Sequence, residues 1–195
     1  MLPSTLPREG AVPTALVLLA EGFEEIETAT SVDVLRRARV EVTVAGIAGS
    51  ERVVGSRDMI FTPDVALADA ELPVDLLLLP GGAQGAENLA SDARVRALLR
   101  DQVDSERLVG AICAAPFALD QAGVLPRDEF TCYPGWEARI DVTGRRHDPV
   151  VESRHVITSQ GPGTAMDFAL ALVTRLCGRA RAVEVARELL HGPRA

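Results

Sequence analysis

Cys113 closes the apolar run Leu108-Val109-Gly110-Ala111-Ile112 and is followed at once by Ala114, Ala115 and Pro116. A cysteine between a buried strand and a helix stands at the carboxyl edge of the sheet, where open α/β folds bind ligands, and faces the positive end of the helix. That end favours thiolate over thiol, so the chemistry to expect is nucleophilic attack on an electrophilic carbon. The arrangement follows the logic of a hydrolase nucleophile elbow, although Gly-x-Ser-x-Gly itself is absent. The same residue also fits a buried structural thiol, the commoner fate of a lone cysteine in an apolar segment. The stretch alone does not separate the two readings.

Two further loops carry chemistry. Glu24, Glu25 and Glu27 follow the turn Glu21-Gly22-Phe23. Carboxylates in a first helical turn are favoured by the helix dipole, which explains Glu24 and Glu25, and spacing does not choose among the three. Gly81 and Gly82 follow Leu76-Leu77-Leu78-Leu79-Pro80. Paired glycines make tight turns, and they also let a ligand approach the backbone. Backbone N–H groups of Gly82 and Ala114 are candidates to stabilise an oxyanion formed when Cys113 attacks a carbonyl. Cys132 and Cys177 read as packing residues, and His147, His155 and His191 are assigned no chemistry.

Composition narrows the function further. All 20 basic residues are arginine, which excludes lysine Schiff-base chemistry and the P-loop lysine. A net charge of −8 argues against a nucleic-acid backbone as partner. Three cysteines without metal-type spacing indicate free thiols, no metal site and a reducing compartment, the cytoplasm. No apolar run is long enough to span a bilayer as a helix, so no membrane partner is expected. The 195 residues fit one domain over 14–190, with residues 1–13 as a flexible, proline-bearing tail and no signal peptide.

The elements that must position these residues follow from periodicity. Buried strands are expected at 14–20, 40–47, 74–79 and 108–113, with a short strand at 130–133. Residues 50–62 read as a small hairpin or irregular excursion, and 141–158 as short strands around a turn at 144–148. Helices are expected at 24–39, 92–105, 114–122, 164–177 and 180–190. Alternating strands and helices predict an α/β fold with a doubly wound, mostly parallel sheet covered on both faces.

The chain resembles the ThiJ/PfpI superfamily, and specifically its protein-deglycase branch, over nearly its whole length. The resemblance rests on Gly22-Phe23-Glu24-Glu25-Ile26-Glu27-Thr28, Ser56-Arg57-Asp58, Leu79-Pro80-Gly81-Gly82, Ala111-Ile112-Cys113-Ala114-Ala115-Pro116 and residues 158–164. It implies a flavodoxin-like fold with Cys113 as nucleophile and Glu27 as the carboxyl group hydrogen-bonded to it. Gly81, Gly82 and Ala114 would line the oxyanion site, and Arg57, Tyr133, Gly161 and Pro162 the substrate. It further implies a homodimer, no cofactor, and a small aldehyde or a glycated adduct as substrate. The expected activity is that of a cysteine-dependent glyoxalase or deglycase acting on methylglyoxal or glyoxal without glutathione. The alternative is an oxidative-stress sensor or chaperone that works through oxidation of Cys113. A carboxyl held beside a thiolate should keep its proton.

Two departures from the family pattern narrow the choice. Tyr133 stands where the branch's human member has a histidine, so a Cys–His pair is not available there. Ala114 stands where PfpI-type proteases have the histidine that follows the cysteine, which removes the protease base. Class I glutamine amidotransferases need a downstream histidine and glutamate, and Ser159-Gln160-Gly161-Pro162 offers neither.

Overall fold

The computed structural model describes residues 11–49, 51–140 and 144–192. The expected tail at 1–13 and the stretch 141–143 therefore lie largely or wholly outside the described residues. The first five strands of the main sheet in chain order, all parallel, are β1 (Thr14–Leu19), β2 (Glu41–Gly46), β5 (Val65–Ala66), β6 (Leu76–Leu79) and β7 (Leu108–Ile112). A short antiparallel hairpin, β3 (Val53–Val54) with β4 (Ile60–Phe61), stands apart from them, within the 50–62 stretch read as a small hairpin or irregular excursion. The chain closes the sheet with β8 (Val150–Ser153) and β9 (Val156–Ser159). The order is β5-β2-β1-β6-β7-β9-β8, parallel throughout except for β8 against β9. This is the doubly wound, flavodoxin-like arrangement expected.

Side-chain alternation sends successive strand residues to opposite faces. Ala15, Val17, Leu19, Leu76 and Leu78 pack under α1 (Glu25–Arg37), α5 (Ala165–Cys177) and α6 (Arg179–Glu188). Leu16, Leu18, Leu77, Leu79 and Val109 pack under α2 (Ala83–Ser91), α3 (Ala93–Asp104) and α4 (Pro116–Ala122). With both faces covered, the strands read as unbroken apolar runs, which is why the sequence located them.

Four details differ from expectation. Helix α2 was missed, because its buried stripe is only Ala86, Leu89 and Ala90 over nine residues; Asp92 then ends it and caps α3, accepting from the Arg94 amide at 2.8 Å. Strand β5, two residues long, was too short to show a period. Helix α4 starts at Pro116 rather than 114, since proline suits a first helical position and Ala114 and Ala115 are spent on the turn. Residues 130–133 form no strand; Phe130 makes a single bridge to Arg145, and the Thr131 amide donates to Thr158 Oγ1 at 2.9 Å. That segment is apolar because it is buried as a loop: Phe130, Thr131 and Cys132 are fully buried.

The order in which strands are added reverses at β1 and β6, which are themselves parallel. From β1 the strand order moves out through β2 to β5, then returns across β1 to β6 and β7. Such a switch point leaves a crevice at the carboxyl ends of the strands. The turn after β1, the glycines after β6 and the cysteine after β7 all open into it.

Candidate functional site

Cys113 leaves β7 with φ of 64°, in the left-handed region that non-glycine residues occupy at a cost. The conformation is held from both sides. Its amide donates to the Ser159 carbonyl at 2.9 Å, and its carbonyl accepts from the Tyr133 amide at 2.8 Å. The turn thereby aims the side chain at the crevice, while most of the residue stays buried.

Glu27 reaches the same point from α1. Glu24 is the N-cap of that helix and its carboxylate accepts the Glu27 amide at 2.8 Å. The Glu27 side chain is fully buried; Oε2 accepts the Gly81 amide at 2.8 Å, while Oε1 has no hydrogen-bond partner among the described residues. Burial pushes its pKa up to about 8, the nearby Glu24 charge adds to this, and the Gly81 amide offsets part of it. At neutral pH the carboxyl therefore keeps its proton.

Gly81 is what lets the two groups meet. A Cβ there would lie 2.5 Å from Cys113 Cβ and 2.7 Å from Glu27 Oε2, so the thiol and carboxyl flank a spot that any side chain would fill. Gly82 adopts φ of 86°, and this turns its amide toward the Cys113 sulfur beside the amide of Ala114.

The electrostatics correct one expectation. The Cys113 thiol is pushed up, by burial first and then by the Glu27 charge, against the pull of the Gly82 and Ala114 amides. Helix α4, seven residues long and starting three residues later, does not overcome this. Whatever activates the thiol is local: the two amides and the proton on Glu27.

The crevice is an open cleft of about 650 Å³. Cys113, Gly82, Ala114, Arg57, Tyr133 and Pro162 line it, whereas Glu27, Gly81 and Gly161 lie behind that surface. Gly161 packs against the Tyr133 ring, 3.1 Å from its would-be Cβ, on the side toward Glu27 Oε1. The Tyr133 hydroxyl makes no hydrogen bond among the described residues, and 47% of the residue is exposed. The sequence reading missed Trp136, Gln84 and the role of Glu25. Glu25 is buried and clamps the loop that carries Arg57, accepting the Arg57 amide at 2.5 Å and Ser56 Oγ at 3.1 Å. Although burial acts to raise its pKa, those donors hold it below the usual carboxylate value. The acidic cluster after β1 thus divides its work: Glu24 caps, Glu25 clamps, Glu27 faces the thiol.

The other two thiols do not line the cleft. Cys132 is fully buried, and burial raises its pKa to about 11. Cys177 packs half-buried beside the Ala38 carbonyl. Among the described residues no group of three His, Cys, Asp or Glu side chains is placed to hold a metal. No helix among them is long and apolar enough to cross a membrane.

Comparison with known proteins identifies relatives of the whole domain. Residues 13–175 match the DJ-1/PfpI family. The Parkinson disease protein 7 homolog of Danio rerio is 44% identical over 183 residues, covering 90% of this chain and 96% of that protein. Glutathione-independent glyoxalase DJR-1.2 of Caenorhabditis elegans is 40% identical over 172 residues, covering 86% of this chain and 91% of that protein. The crystal structure of Drosophila melanogaster DJ-1beta superposes with a TM-score of 0.89 at 40% identity, covering 94% of this chain and all of that one. Oxidized Toxoplasma gondii DJ-1 superposes with a TM-score of 0.89 at 33% identity, covering 93% of this chain and 100% of that one. With residues 13–175 matched and the fold shared with these relatives, the chain belongs to the DJ-1/PfpI family.

Proposed function

We propose that this protein is a glutathione-independent glyoxalase that converts methylglyoxal to lactate or glyoxal to glycolate, and that it removes early adducts of these aldehydes by the same covalent start. The observation that carries this reading is the buried carboxyl of Glu27, protonated up to about pH 8, facing the Cys113 thiol. The Cys113 sulfur, as thiolate, adds to the aldehyde carbon, and Glu27 gives its proton to the oxygen that gains charge. A hemithioacetal results. The Glu27 carboxylate then takes the proton from that carbon and returns it to the neighbouring carbonyl carbon, while the hydroxyl proton passes to the adjacent oxygen. Water cleaves the resulting thioester, releasing the hydroxy acid and the thiol. The net change is aldehyde plus water giving the acid, with no oxidant or cofactor. Relatives that include a glutathione-independent glyoxalase support the reading.

Purified protein given methylglyoxal without glutathione is expected to form lactate. Cys113→Ala is expected to reduce the rate to the uncatalysed background, and activity that survives this substitution refutes the assignment.

A second reading rests on the amides of Gly82 and Ala114, which point at the sulfur itself. Two equivalents of peroxide would carry the thiolate to a sulfinate, whose oxygens those amides and the Glu27 proton suit. In this reading the protein senses oxidation or acts as a chaperone. Intact mass after peroxide treatment tests it: a gain of two oxygens at Cys113 without aldehyde turnover favours sensing, and an inert thiol removes it.

The partner we propose is a second copy of the chain. Ile26, Met59 and Ile60 are more than half exposed, and Met59 and Ile60 belong to the hairpin that Glu25 fastens beside Ile26. Three free thiols suit the reducing cytoplasm.

A further inference from the structure

The chain has one tryptophan and one tyrosine, and neither is in the core. Both stand on one turn at the mouth of the cleft, where the Trp136 amide donates to the Tyr133 carbonyl at 3.0 Å, and both line it. Trp136 is not loosely placed. The Arg139 guanidinium carbon sits 4.6 Å from its ring centroid and 4.8 Å from that of Phe117, and the Phe117 ring meets Trp136 edge-on at 5.8 Å. Arg139 is itself tied to Glu87 of α2 at 2.5 Å. The indole is thus clamped by α2 and α4 on one side and partly exposed to the cleft on the other. Cation–π and edge-on contacts of this kind fix a ring's orientation as well as its place.

The cleft is also larger than the reaction needs. Its volume of about 650 Å³ falls within the roughly 300–1,000 Å³ that encloses drug-sized ligands. A three-carbon aldehyde leaves most of it empty. The polar residues Ser56, Arg57 and Asp58 come from the hairpin bound to the β1 turn, while Trp136 comes from the side of α2 and α4. A substrate bonded to Cys113 would therefore carry its substituent past an aromatic wall.

Resting on the glyoxalase reading, we propose that Trp136 is a specificity-determining residue that makes the site prefer 2-oxoaldehydes with a flat apolar substituent over the small alkyl ones. Arg139 and Phe117 act through it as positioning residues. The ring offers stacking area to an aryl group and almost nothing to a methyl group.

The test compares phenylglyoxal with methylglyoxal. Trp136→Ala is expected to lower kcat/KM for phenylglyoxal about tenfold more than for methylglyoxal, with the loss in KM, and Trp136→Phe to restore most of the preference. Equal losses on both substrates overturn the proposal. A second measurement is independent of turnover, because the single tryptophan makes intrinsic fluorescence a local probe. Mandelate is expected to give a saturable blue shift of emission that lactate at equal concentration does not, in wild type and in Cys113→Ala alike. If wild type converts neither aldehyde, the glyoxalase reading fails while the mandelate shift still decides the wall; mandelate and lactate behaving alike overturns it.

Discussion

Glu27→Gln is the substitution that isolates the buried carboxyl. In the folded protein burial holds the Glu27 pKa near 8, against an ordinary value of 4.5. The folded state thus binds a proton that the unfolded state has released, and stability falls as pH rises through that window. Below pH 4.5 the contribution is fully present; above 8 it is gone. With one pKa unit worth about 1.4 kcal/mol, linkage gives a loss of about 3–4 kcal/mol between pH 5 and pH 8 from this group. Glutamine imitates the protonated acid: its carbonyl can accept the Gly81 amide as Oε2 does, and its amide carries no charge to desolvate. At pH 5 the two proteins should therefore be about equally stable, and at pH 8 the variant should be the more stable by several kcal/mol. Urea denaturation at fixed protein concentration, repeated at pH 5, 6, 7 and 8, measures this directly. Parallel pH profiles for wild type and variant would refute the assignment of a buried, protonated carboxyl. The comparison also cancels Glu25, Asp92 and Glu137, whose lowered pKa values add stability that is lost only as the pH falls well below this range.

Two further outcomes follow from the geometry. Gly81→Ala puts a methyl group against Cys113 Cβ and Glu27 Oε2, so it is expected to cost about 1–3 kcal/mol in urea unfolding and to abolish lactate formation, with no loss of either contradicting the contact. Ile26→Glu places a charge in the exposed apolar patch and is expected to turn a dimer into a monomer by sedimentation; an unchanged mass excludes that face as the interface.

The sequence was most informative where burial is two-sided. Leu76–Leu79 and Leu108–Ile112 are apolar because helices cover both faces of the sheet. The same signal failed at 130–133, where apolar residues are buried as a loop, and at α2, where alanines supply the core face. At the site, the elbow position of Cys113 and the bare backbone at Gly81 and Gly82 could be read from residue type. The division of labour among Glu24, Glu25 and Glu27 could not, because what separates them is the partner each meets, 31 and 32 positions away for Glu25 and 54 away for Glu27. Family resemblance singled out Glu27, and its complete burial gives the physical reason. Trp136 carried no signal at all: a lone tryptophan after Pro134-Gly135 reads as a turn aromatic until Phe117 and Arg139 are seen to hold it.

The sequence reading credited the helix end with activating Cys113, and the structure moves that role to the balance of donors around two buried groups. Burial opposes charge on both the thiol and Glu27, so the pair takes on its first negative charge as a unit. Where that charge settles depends on what each atom can accept. The carboxylate would have the Gly81 amide on Oε2, the Cys113 thiol as a second donor, and the Glu24 charge nearby. The sulfur would have the amides of Gly82 and Ala114, and also the proton that Glu27 keeps when the charge is not its own. Three donors against two let a share of that charge sit on sulfur while Glu27 carries the rest, and it is the sulfur form that attacks. Glu27 therefore activates the nucleophile by remaining an acid, and the same retained proton is the one the aldehyde oxygen needs when the carbon–sulfur bond forms.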